Sequence, residues 1–166
     1  MKGSRILSIG LTALLGAGLA LAAEEKSNAG FEKLKSLAGE WEGKTTDGKP
    51  VKATYKVTSG GSALSETLQA GTEPEMLTVY HMDGGQLMMT HYCSLANQPR
   101  MRAAASSGDP KSLDFQYVSA TNLSKADAPH MHHLVVAFDD PDHITQKWTM
   151  KGMGDQEVAF HLERKK

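Results

Sequence analysis

From residue 40 to residue 164 the chain repeats one local pattern. Short runs of alternating apolar and polar residues are cut by breaks rich in Gly, Asp, Ser and Pro. The runs fall at 40–42, 51–57, 62–69, 76–82, 87–94, 100–105, 113–118, 130–138, 144–150 and 157–164. A period of two sends every second side chain to the same face of a strand. Val51, Ala53, Tyr55 and Val57 thus share one face while Lys52 and Lys56 point to water. Asp83-Gly84-Gly85-Gln86, between two such runs, is a hairpin signal. Ser106-Ser107-Gly108-Asp109-Pro110, Asp139-Asp140-Pro141-Asp142 and Gly152-Met153-Gly154-Asp155 mark further turns. Short strands joined by tight turns pair antiparallel with their sequence neighbours, and closing the sheet removes both exposed edges. The pattern predicts an all-β protein: a ten-stranded antiparallel up-and-down barrel. A sandwich would need longer Greek-key crossovers, and only 120–129 is a long connection.

Ahead of the strands, Phe31, Leu34 and Leu37 are spaced i, i+3 and i+6, which predicts one short N-terminal helix over 31–37, stopped at Gly39. Further upstream, Lys2 and Arg5 precede an uncharged apolar or small run from Ile6 to Leu21, and Ala20-Leu21-Ala22 precedes Glu24-Glu25. That is the layout of a secretory signal peptide cleaved near Ala22 or Ala23. A membrane anchor would need about 20 strongly apolar residues, and this stretch is shorter and rich in Gly and Ala. The expected organisation is a signal peptide at 1–22, a flexible segment at 23–30 and a barrel domain at 31–166. Cleavage leaves 144 residues with 16 basic and 19 acidic side chains, a balance that argues against nucleic acid as a partner. The single cysteine excludes an internal disulfide framework.

The start of the domain, Leu34-x-x-Leu37-x-Gly39-x-Trp41-x-Gly43, resembles the opening of lipocalin-like (calycin) barrels, including the ten-stranded fatty-acid-binding-protein-like and nitrobindin-like branches. The resemblance implies that Trp41 plugs the closed end and that a basic residue of the last strand, Arg164, crosses its ring in a cation–π contact. Thr90-His91-Tyr92-Cys93, Asn97-Gln98-Pro99-Arg100-Met101 and His130-Met131-His132 look like an uncharacterised family of secreted bacterial proteins with this fold. That resemblance spans the whole mature chain. It implies export to a bacterial periplasm or the medium and brings no established activity. The nitrobindin haem motif is not matched residue by residue.

Facing arguments then select the interior groups. Lys147 and Lys151 outward send Ile144, Gln146, Trp148 and Met150 inward; Glu157 and Glu163 outward send Val158, Phe160, Leu162 and Arg164 inward. With Gln86 in solvent, Leu87, Met89, His91 and Cys93 face in, opposite Thr78 and Tyr80. The apolar set Leu134, Val136 and Phe138 takes His130 and His132 to the same face and leaves His133 outside. A register slip of one residue reverses any of these assignments. Tyr80, His91, His130, His132, Gln146 and Trp148 are therefore candidate ligand-binding residues. Arg100, after Asn97-Gln98-Pro99, is a candidate rim clamp for an anionic group, since a guanidinium fork suits carboxylate.

Ten strands enclose more room than side chains alone usually fill, so the first expectation is a carrier of a small apolar or anionic-amphipathic molecule. The alternative is a zinc or haem site, of a binding protein or an enzyme, on His91, Cys93, His130, His132 and Glu66, because His-x-His on a strand presents two imidazoles to one side. The third is a filled structural or partner-binding domain. No Ser/His/Asp order, phosphate loop, HExxH or paired catalytic carboxylates are present, which disfavours an enzyme of familiar type. Cys93 lacks a base within reach on its own strand, since residues two apart lie roughly 6.5–7 Å from each other.

Overall fold

The alternating runs form ten strands, each hydrogen-bonded to the strand before and the strand after it in sequence. A computed structural model describes residues 28–152 and 154–166. The order is α1 (Ala29–Lys35), β1 (Gly39–Thr45), β2 (Pro50–Thr58), β3 (Ala63–Ala70), β4 (Met76–Asp83), β5 (Gln86–Tyr92), β6 (Gln98–Ala103), β7 (Ser112–Thr121), β8 (His130–Asp140), β9 (His143–Lys151) and β10 (Gln156–Arg164). β1 pairs with both β2 and β10, so the sheet closes into an antiparallel up-and-down barrel, the expected fold class. The expected signal peptide at 1–22 lies outside the described residues.

The helix starts earlier than its apolar spacing indicates. Asn28 caps it, its side-chain oxygen accepting from the N–H groups of Gly30 (2.9 Å) and Phe31 (3.3 Å). Asn28, Ala29 and Gly30 thus belong to the helix and its cap rather than to the segment expected to be flexible. The helix stops at Lys35, and Leu37 is buried from the turn that follows.

Up-and-down winding puts successive connections at alternate ends. At the helix end, Lys33 of α1 binds Asp109 of the β6–β7 loop at 2.7 Å. Trp41 is buried there, its indole N–H donating to the Leu37 carbonyl at 2.8 Å. The Arg164 guanidinium lies 4.4 Å from the centre of the Trp41 ring and donates to the carbonyls of Ala38 (3.0 Å) and Ser36 (2.9 Å). One strand-end cation therefore ties ring, helix end and barrel wall together. The seam between β1 and β10 needs Gly43, because a Cβ at that position would stand 1.8 Å from the His161 carbonyl oxygen. The apolar core runs through the barrel axis, with Leu64, Tyr80, Met89, Met101, Phe115, Leu134 and Val136 fully buried.

At the opposite, loop end the strands are less regular. The register shifts here between Arg100 and Met101 where β6 meets β7, and between Met131 and His133 where β8 meets β9, whereas the helix end has one shift, between Phe138 and Asp140 of β8. Such bulges re-aim side chains. The one at Met131 changes the expected facing on β8, because Met131 now stands opposite Met150 and packs against the core.

Candidate functional site

Two groups of polar side chains lie within or above the core. The deeper one centres on Glu66, which is wholly buried. β3 pairs Glu66 with Tyr55 of β2 on one side and Thr78 of β4 on the other, so their side chains share the inner face. Tyr80 donates to Glu66 Oε2 at 2.6 Å, Tyr55 donates to Oε1 at 3.0 Å, and the Gln146 amide donates to Oε1 at 2.5 Å. Gln146 also donates to the Tyr55 hydroxyl and accepts from the Trp148 indole N–H at 2.9 Å. Burial pushes the Glu66 carboxyl above the usual carboxylate range, against the pull of those three hydrogen bonds. Burial, then the nearby Glu66 charge, holds both tyrosine hydroxyls protonated far into the alkaline range. Every member of this network has a partner, which makes it a rigid polar core.

His91 sits beside the network. It pairs with Thr78 across β4 and β5, with Nδ1 2.9 Å from the threonine hydroxyl, and its ring centre lies 4.7 Å from that of Trp148. Burial lowers its pKa to about 4, so the ring is neutral at pH 7. Nε2 is buried and has no hydrogen-bond partner among the described residues. Cys93, two residues on, is also buried.

The second group stands at the loop end. His130, His132 and Tyr117 form an aromatic cluster: the Tyr117 and His132 rings stack with centres 4.5 Å apart at 19°, and His130 lies 5.0 Å from Tyr117. His130 Nδ1 is 2.7 Å from the Ala128 carbonyl, and its Nε2 is 3.2 Å from His132 Nδ1. Together with Ala126, Asp127, Lys151, Gly152, Gly154 and Asp155 these side chains line a cavity of about 680 Å³. Gly152 belongs here for a steric reason: at φ 88°, a Cβ would meet the Asp127 carbonyl oxygen at 2.8 Å. The 122–129 loop that walls the cavity is itself anchored, because Asn97 donates to the Pro129 carbonyl at 2.9 Å and Asn122 donates to that of Ala96.

The candidate residues thus divide. Tyr80, Gln146 and Trp148 belong to the Glu66 network and do not line the loop-end cavity. His130 and His132 do line it. They stand at the bulged end of β8, not in one row with Leu134 and Val136 as strict alternation requires, because the extra residue breaks the period. Arg100 is exposed near the start of β6, opposite Thr90 and Ser119, and is not among the residues that line this cavity. His91, Cys93, His130, His132 and Glu66 do not come together: among the described residues no three His, Cys, Asp or Glu side chains are arranged to hold a metal ion. Both Glu66 oxygens are already engaged by the two tyrosines and Gln146.

Tyr117, Tyr55 and Asn97 were not among the expected site residues. The first two were within reach of the alternation argument, Tyr117 following Leu113 and Phe115, and Tyr55 lying between Lys52 and Lys56. Asn97 gave no such signal, because its role comes from a loop 32 residues away.

Comparison with known proteins finds no family model that matches this chain and no match among curated proteins.

Proposed function

We propose that this protein is an exported, lipocalin-like carrier that holds a small molecule in the loop-end cavity rather than deep in the barrel. The observation that carries the reading is the cavity itself. Its volume of about 680 Å³ falls in the range of small-molecule sites, and an aromatic and imidazole cluster forms its floor. The deeper interior supports the same choice. Glu66, Tyr80, Gln146 and Trp148 are at most 1% exposed and bonded to one another, so they offer a ligand no unfinished bonding. Export rests on the charged, apolar and small-residue order of residues 1–22.

Native mass spectrometry of protein recovered from its host's periplasm or medium tests both parts. The expected result is a chain beginning after Ala22 or Ala23 with a retained organic mass, and loss of that mass in Tyr117→Ala. A processed chain carrying no added mass would defeat the carrier reading, and an unprocessed one would defeat export.

A further inference from the structure

The hydrogen bonds around His130 determine what the cavity offers a ligand, given that the cavity is the ligand site. A carbonyl oxygen only accepts, so the 2.7 Å contact with Ala128 requires the His130 proton on Nδ1. With one proton on each ring, His130 Nε2 then carries a lone pair, and the 3.2 Å contact requires His132 to donate from its Nδ1. His132 Nε2 is left as a bare acceptor. It makes no hydrogen bond among the described residues, and its ring is one of those lining the cavity.

One face of the same imidazole is stacked on Tyr117, so a flat molecule has an aromatic surface beside that acceptor. Charge narrows the choice further. The lining holds two carboxylates, Asp127 and Asp155, against one ammonium, Lys151. Asp127 is partly answered by Lys125 at 3.3 Å, which leaves no cationic excess to hold an anion.

We infer that the cavity takes an uncharged planar aromatic molecule bearing an O–H or N–H group, which donates to His132 Nε2 while its ring packs against the Tyr117–His132 pair. His132 is the contact residue. His130 is a positioning residue, acting only by setting the His132 tautomer.

Titration calorimetry at pH 7.5 with three probes of one ring system tests this. 2-Naphthol carries the donor, 2-methoxynaphthalene keeps the ring without it, and 2-naphthoate is the anion. The expected order is naphthol tightest by roughly ten-fold or more over the ether, with naphthoate weakest, since a site built around a hydrogen bond discriminates against the analogue lacking it. His132→Phe keeps a stacking ring without an acceptor, and should bring naphthol and the ether to equal affinity while ether binding is retained. Equal binding of naphthol and ether to the unaltered protein, tightest binding of naphthoate, or no binding of any probe would each overturn the inference. The carrier reading fails separately, through an empty cavity in the native mass spectrum.

Discussion

The two ends of the barrel are built on opposite plans. At the helix end, Trp41, Arg164 and the C-terminal turn of α1 interlock, and the indole N–H and guanidinium groups find carbonyl partners within 3.0 Å. At the loop end, two of the three register shifts interrupt the ladders, a cavity opens between connections, and His132 Nε2 makes no hydrogen bond among the described residues. One end uses its aromatic ring for stability and the other uses its aromatic rings to present a surface. Buried apolar area and satisfied hydrogen bonds stabilise a fold, while recognition needs groups whose bonding is unfinished.

The sharpest way to break that contrast is to truncate a ring at each end. Trp41→Ala should cost about 3–5 kcal/mol, the range for removing a large buried aromatic, read from denaturant unfolding. Tyr117→Ala, at the half-buried edge of the cavity, should cost about 1 kcal/mol or less while losing the ligand. Comparable losses of stability at the two positions would remove the division of labour.

The next largest effect belongs to the layer between the ends. His91 has its pKa lowered from 6.5 to about 4 by burial, so the folded state binds fewer protons than the unfolded chain in that window. Stability present above pH 6.5 is therefore lost as the pH falls towards 4, by about 3 kcal/mol from this group. Glu66 works in the other direction, because its raised pKa makes the folded state bind more protons, and its contribution declines as the pH rises through the raised value. Comparing unfolding free energies of the unaltered protein and His91→Gln at pH 7 and pH 4 isolates the histidine. The variant should lose roughly 3 kcal/mol less over that interval, and parallel pH profiles would show that His91 is not buried as a neutral ring.

Much of the barrel was legible in the residues because a strand's period of two is local. Lys52, Lys56, Lys147, Glu157 and Glu163 point outward as alternation requires, and Leu64, Glu66 and Leu68 point inward. The two glycines of the β4–β5 hairpin set a tight turn at which Asp83 pairs with Gln86, and Gly84 takes φ 57° at its first central position. The helix start differs from the spacing-based expectation for an equally local reason: apolar spacing marks the packed face, whereas Asn28 sets the boundary through its side-chain oxygen.

The site was legible only in part. His91 on the inner face opposite Thr78 follows from the hairpin turn alone. The His130-Met131-His132 stretch defeated the same rule, since nothing in its own residues announces an extra residue in the ladder. Its side-chain directions depend on how β8 meets β9 and on a loop anchored by Asn97.

The amino-acid sequence by itself determined a closed sheet of ten strands and its inward and outward faces over the regular stretches. These follow from periodicity and turn chemistry, which act between near neighbours. Only the tertiary structure decided that Glu66 is wrapped by two tyrosines and a glutamine, that Arg100 stands apart, and that two histidines and Tyr117 meet around a cavity. Those outcomes depend on closure, which brings residues 80 positions apart into hydrogen-bonding distance, and on bulges, which redirect side chains where the period fails.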